Sequence, residues 1–183
     1  MKIVIVGCGR VGGSAAETWD AAGHEVIVLD ISATAFERLP ASFGGTAIRG
    51  DGTDEDVLRR SGTEGADVFL AMTEGDNRNV MSAQLATEVF DVGNVIAKIN
   101  DPLRAEAYAE LGIATVCRTG LMLDAVNGYL GFPKSGLASM LAPTGTHPGG
   151  GHHSVTAGAG AAGPSAGAAG PSAGASARAS VEA

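Results

Sequence analysis

The sequence predicts an α/β domain built on a doubly wound parallel sheet of about six strands, with a disordered C-terminal tail. Three observations predict it. Short apolar runs alternate with helix-compatible segments from residue 2 to residue 132. The runs at 2–6, 25–30 and 67–72 are nearly continuous in apolar residues, as expected of strands covered on both faces. A glycine-rich turn, Gly7-x-Gly9-x-x-Gly12, joins the first run to the first helical segment. Right-handed crossovers between such units give a parallel sheet with helices on both sides.

The elements follow in order. "KIVIV" at 2–6 reads as a buried strand, and 11–22 as a helix that Gly23 ends. "EVIVLD" at 25–30 is the second strand. Residues 32–43 read as a helix that starts at a Ser cap and is limited by Pro40. "TAIRG" at 46–50 is the third strand, and 53–62 a helix with Thr53 as its cap and Gly62 as its stop. "DVFLAM" at 67–72 is the fourth strand, followed by a long helix at 76–90 capped by Asp76. "NVIAKIN" at 94–100 is the fifth strand, and Pro102 opens a helix over 102–112. "ATVC" at 114–117 is a short sixth strand, and 120–132 the last helix.

Composition changes after about Phe132. From Lys134 to Ala183 the only charged residues are Lys134, Arg178 and Glu182, and "GPSAGAA" at 163–169 returns as "GPSAGAS" at 170–176. Such a segment buries too little to offset backbone ordering at ~1–2 kcal/mol per residue. The expected organisation is a working domain over 1–133 and an Ala/Gly/Ser/Pro-rich tail over 134–183, disordered beyond about Pro143. Within that tail, 134–143 reads either as a helix extension or as a short docking segment. His147, His152 and His153 also fall in the tail, where they more often bind nothing than a metal.

The chain has 183 residues, 45% of them apolar and only 4% aromatic, so its core must be aliphatic. A net charge of −8 argues against a binder of nucleic-acid polymers. No apolar stretch approaches the roughly 20 residues needed to span a bilayer, and a cytoplasmic location is expected. Cys8 and Cys117 have no metal-ligand spacing, and no metal site is expected.

In the glycine turn, Gly7 permits the tight bend, Gly9 lets the backbone approach a pyrophosphate, and Gly12 lets helix and strand pack closely. The following helix N-terminus offers free amides to an anion. Asp30 ends the second strand eighteen residues after Gly12 and should accept from ribose hydroxyls. Its charge should repel a 2′-phosphate. These features make the domain Rossmann-like. Asp51 either accepts from the adenine amino group or begins the next helix. Thr73 ends the fourth strand under the ligand. Lys98 or Asn100 reaches the distal end of the ligand, or both are solvated strand ends. Arg10, a cation inside the turn, suits a ligand with more phosphate charge, or is a solvated surface residue. Cys8 reads as packing.

Hydride transfer would also need a substrate pocket and an acid–base residue. Neither Tyr108 nor Tyr129 starts a Tyr-x-x-x-Lys pattern, and His24 lies in the turn before the second strand, at the wrong end of the sheet. No catalytic residue is assigned.

The segments "MKIVIVGCGRVG", "VIVLDIS", "GDGTDEDVLRRSGTEGADVFLAMTEGDNRNV" and "AKINDP" together resemble the TrkA N-terminal domain family, also called RCK or KTN domains. The resemblance covers about 1–130. It implies a regulatory subunit of a bacterial potassium uptake system or channel, binding NAD(H) or ATP/ADP. It implies a membrane pore subunit as partner, and self-association or pairing with a second TrkA-like subunit. The location implied is the inner face of the membrane, reached through that partner. By the motif match, Gly7, Gly9, Arg10, Val11 and Gly12 form the phosphate loop, Asp30 takes the ribose, Asp51 lies by the adenine, and Thr73 and Lys98 line the pocket. Asn79 matches the family's asparagine in the helix after the fourth strand. The C-terminal ligand-binding domain of many members is replaced here by the tail. The family's assembly implies a self-association face on the helix at 76–90, through Val80, Met81, Leu85 and Val89. Two further readings remain beside the regulatory one. One is an NAD-dependent oxidoreductase completed by another chain; the other is a structural adaptor with a vestigial pocket.

Overall fold

The first strand feeds two hydrophobic cores at once. In the computed structural model, which describes residues 1–142, β1 (Lys2–Val6) lies inside the sheet. Val4 and Val6 join a core on one face, Ile3 and Ile5 a core on the other, and all four are buried. Burial on both faces explains why the run does not alternate with polar residues.

The chain continues through α1 (Arg10–Ala21), β2 (Glu25–Asp30), a 3-10 helix (Ala33–Arg38), β3 (Thr46–Arg49), α2 (Glu55–Arg60) and β4 (Val68–Ala71). Then come α3 (Asp76–Glu88), β5 (Val95–Ile99), α4 (Pro102–Glu110), β6 (Ala114–Cys117), α5 (Arg118–Leu130) and β7 (Met140–Leu141). The sheet order is β3-β2-β1-β4-β5-β6-β7. β1 to β6 are mutually parallel, and β7 is antiparallel to β6. The winding reverses between β1 and β4.

The larger core joins Phe69 and its strand neighbours to Leu58 of α2, Val80 and Ala83 of α3, and Ala105 of α4. The second joins Ile3 and Ile5 to Ala16 of α1 and Ala35 of the 3-10 helix, with Trp19 and Phe36 packed around them. Phe69 and Leu58 are fully buried. Each side chain of that kind contributes about 1.5–3 kcal/mol by leaving water.

Several local expectations are corrected. Residues 32–43 do not form an α-helix: the Ser32 hydroxyl bonds to the Thr34 hydroxyl at 2.8 Å, and a single 3-10 segment ends before Pro40. The cap of α2 is Asp54, whose carboxylate accepts from the amides of Asp56 and Val57 at 2.9 and 3.2 Å; Thr53 instead donates to Asp51. Gly75, not Asp76, caps α3. The Asp76 carboxylate turns to Asn100 and accepts from its amide at 3.0 Å and its side chain at 2.8 Å.

The greatest departure lies at the C-terminal end of the described chain. α5 begins directly at the end of β6, and of its residues only Gly120 is buried. Residues 134–142 do not extend that helix. The chain turns back, held by Asp124, which accepts from the Ser135 amide at 2.8 Å and its hydroxyl at 2.7 Å. Ala138 enters the larger core, and β7 pairs with β6. A Cβ at Gly120 would strike the Ala138 carbonyl, so this return requires glycine there. The expected disorder beyond Pro143, and His147, His152 and His153, lie outside the described residues.

Candidate nucleotide-binding site

The glycine turn lies at the carboxyl end of β1, beside β4. Gly7 has φ +106°, and a Cβ there would approach the Thr73 amide to 2.8 Å. Both facts require glycine. A Cβ at Gly12 would strike the Gly7 carbonyl, so helix and turn can pack only without one. Gly9 differs: a Cβ there would meet no protein atom within 4 Å. Protein packing leaves that space open, immediately before the free amides of α1.

The Asp30 carboxylate is held on both oxygens. One accepts from the Cys8 amide at 2.8 Å, the other from the Ser32 amide at 2.8 Å. This ties the glycine turn to the end of β2 and orients the carboxylate before any ligand arrives. Cys8 is fully buried, and burial first, then the Asp30 charge, push its thiol above the ordinary value. It packs as a neutral thiol, as the sequence suggests.

Two neighbouring cavities open at this end of the sheet. The smaller, of about 190 Å³, is lined by Gly7, Asp30, Asp51, Thr73 and Arg78, among others. Asp51 accepts from the Thr53 amide at 3.0 Å and hydroxyl at 2.8 Å. These two donors hold its carboxyl below the usual range; burial opposes them, and the Arg78 charge aids them. Thr73 is fixed by Asn79, which is fully buried.

The larger cavity, of about 720 Å³, lies on the other side of Gly9 and is bounded by Arg10, Val11, Lys98, Arg118 and Met122. Gly9, Met72 and Glu74 line both cavities. The structure therefore divides the residues that the sequence gathers into one pocket. Gly7, Asp30, Asp51 and Thr73 face the smaller cavity; Arg10, Val11 and Lys98 face the larger. Gly12 faces neither. Lys98 is buried and its ammonium lies 3.4 Å from the Glu74 carboxylate. Asn100 lines neither cavity; its side-chain nitrogen donates to the Glu74 carbonyl at 3.3 Å as well as to Asp76.

Glu74, Arg78 and Arg118 escape sequence reasoning. Glu74 carries a usable signal, since it directly follows Thr73 at the end of a strand on the ligand side. Arg118 follows the sixth strand in the same way, two residues before the helix expected over 120–132. Among the described residues, no group of three or more His, Cys, Asp or Glu side chains could hold a metal ion. None of the described helices is long and apolar enough to cross a membrane.

The chain is similar to several known proteins. The "Trk system potassium uptake protein TrkA" of Streptomyces coelicolor is 51% identical over 116 residues, 63% of this chain and 52% of that protein. The chain thus matches about half the length of that relative. The solved TrkA-N domain of the inner membrane protein ybaL from Escherichia coli superposes with a TM-score of 0.64 at 19% identity, over 70% of this chain and 96% of that one. The NAD(P)-binding domain of an exopolyphosphatase-related protein from Archaeoglobus fulgidus gives 0.61 at 24% identity, over 71% and 97%. These two likenesses establish the fold. The family model of the TrkA-N domain matches residues 3–119, from β1 through the start of α5, and so takes in the glycine turn, Asp30, Asp51, Thr73 and Lys98. The chain belongs to the TrkA-N domain family.

Proposed function

We propose that this chain is a nucleotide-binding regulatory subunit that gates a membrane potassium transporter or channel. The observation that carries the binding half is the open space at Gly9, beside a carboxylate already oriented at Asp30. An adenine nucleotide fits this arrangement. Its ribose hydroxyls would donate to Asp30, its adenine would lie by Asp51, and its phosphates would cross Gly9 toward the amides of α1. Thr73 would line the adenosine half, and Arg10, Val11 and Lys98 the distal half. Two adjacent carboxylates, Asp30 and Asp51, disfavour a 2′-phosphate, so the ligand is NAD(H) or ATP/ADP rather than NADP. The similarity to a named potassium uptake protein supports the transport half.

The nucleotide would act as an effector and not as a reactant. It shifts a conformational equilibrium only by its difference in affinity for two states. A coupling of about 1–3 kcal/mol changes the conducting population several-fold to a hundredfold. The partner would be a pore subunit, which would hold the chain at the inner face of the membrane. Self-association is part of the same reading. The exposed large apolar side chains concentrate on α5, among them Met122, Val126, Tyr129 and Leu130. A second copy of the chain would cover them.

Thermal shift with NAD, NADH, ATP and ADP tests the binding half: a ligand at 100 times its dissociation constant adds about 2.7 kcal/mol. Potassium flux with a reconstituted pore subunit tests the other half. Parallel titration of Arg10→Ala separates a distal-phosphate contact from a general one, since ATP should weaken most and NAD least. NADH turnover by the purified protein would instead favour an oxidoreductase.

A further inference from the structure

The larger cavity is positive in an acidic protein. Its lining carries three cations, Arg10, Lys98 and Arg118, and one carboxylate, Glu74, while the whole chain has a net charge of −8. Glu74 stands between two of the cations, 3.4 Å from the Lys98 ammonium and 4.0 Å from the Arg118 guanidinium. The pair with Lys98 is unequal: the lysine side chain is 7% exposed and the glutamate 78%. A buried ammonium needs an anion beside it. An exposed carboxylate regains its hydration on leaving, so it gives up little.

We propose that Glu74 is an internal anion seated in a polyphosphate subsite, and that a nucleotide whose charge extends past its second phosphate binds by displacing it. The position of Gly9 in both cavities supplies the route: phosphates crossing that glycine pass from the Asp30 side to the Lys98 side. A monophosphate ends before Lys98 and leaves Glu74 in place. A triphosphate takes over both cations and releases Glu74 to solvent. The neighbouring carboxylate Asp76 cannot substitute for Glu74, because it is engaged by the Asn100 amide and side chain. Glu74 thereby sets the ligand's selectivity and registers its length as the position of the β4–α3 loop.

This inference rests on the nucleotide reading for its adenosine half only, and inorganic tripolyphosphate tests the subsite without it. Calorimetric titrations use AMP, ATP and tripolyphosphate with wild type, Glu74→Gln and Arg118→Gln. Both positions are exposed enough for the variants to fold, which thermal unfolding checks. Glu74→Gln should tighten ATP and tripolyphosphate about two- to fivefold, the range of an exposed ion pair, and leave AMP unchanged. Arg118→Gln should weaken the same two ligands by a similar factor. Equal changes for AMP and ATP, or no change for tripolyphosphate in either variant, would overturn the subsite even if nucleotides bind. If no adenine nucleotide binds any variant but tripolyphosphate still tightens in Glu74→Gln, the subsite stands and the nucleotide reading falls.

Discussion

Asn79 and Thr73 are joined by three hydrogen bonds. The Asn79 oxygen accepts from the Thr73 amide at 2.8 Å and from its hydroxyl at 2.6 Å, and the Asn79 nitrogen donates to the Thr73 carbonyl at 3.0 Å. The same nitrogen donates to the Lys98 carbonyl at 2.7 Å. One carboxamide on α3 thus sets the ends of both β4 and β5. Asn79→Ala leaves buried backbone groups without partners, at a cost of about 1–3 kcal/mol. Urea denaturation should show a lower midpoint with an unchanged slope, and nucleotide affinity should fall with it. A midpoint equal to wild type would show that the clamp is dispensable.

Asp30 has two tasks, one toward the ligand and one toward the glycine turn. Asp30→Ala should weaken adenine nucleotides by about 1.5–3 kcal/mol, because a charge-assisted bond is lost. It should also lower the melting temperature, since the Cys8 and Ser32 amides lose their acceptor. Asp30→Asn keeps one acceptor oxygen but sets its NH2 against the other backbone amide, so it should recover only part of the stability, without the affinity. Calorimetry beside thermal unfolding separates the two effects, and unchanged affinity in a folded Asp30→Ala would remove Asp30 from the binding mode.

The depressed carboxyl of Asp51 gives a pH signature. Because its folded value lies below the ordinary 3.8, its contribution to stability is complete above that value and is lost as pH falls through the folded one. Thr53→Val deletes the hydroxyl donor while keeping the amide. The carboxyl should then titrate at higher pH, and the acid-side loss of stability should begin earlier. Carbon-detected NMR titration of Asp51 in both proteins reads this directly; coincident curves would contradict it.

Assembly should depend on α5 rather than on α3. Of the four side chains expected on the α3 face, Val80 is buried and Leu85 packs against the core, and only Met81 and Val89 are exposed. Leu85→Glu should therefore unfold the protein. Tyr129→Glu with Val126→Glu should leave it folded and shift it toward monomer in light scattering. A wild-type protein that is monomeric at micromolar concentration would rule out this face as a self-association surface.

The sequence makes the sheet legible because β1, β2 and β4 are buried on both sides and therefore unbroken in apolar residues. The glycine spacing is legible for a similar reason, since Gly7 and Gly12 answer steric demands that no other residue meets. Caps are read less well. Thr53, Asp54 and Asp51 are all chemically able to cap, and the choice depends on where the β3–α2 loop turns. The division of the site into two cavities is not legible at all. It depends on the placement of α5, which lies far along the chain from Gly9 and sets Arg118 opposite Glu74. Nor does the return through Ala138 and β7 have a periodicity of its own, because two strand residues are too few to show one.

The strand β7 gives the sheet a finished edge. Without it, β6 would present unpaired amides and carbonyls, including the Cys117 amide that now donates to the Ser139 carbonyl at 2.8 Å. An open edge of that kind is a template for strand addition by another molecule. A two-residue antiparallel cap is too short to offer a new template of its own. A cut after residue 133, where composition changes, would remove β7 and convert a capped edge into an aggregation-prone one.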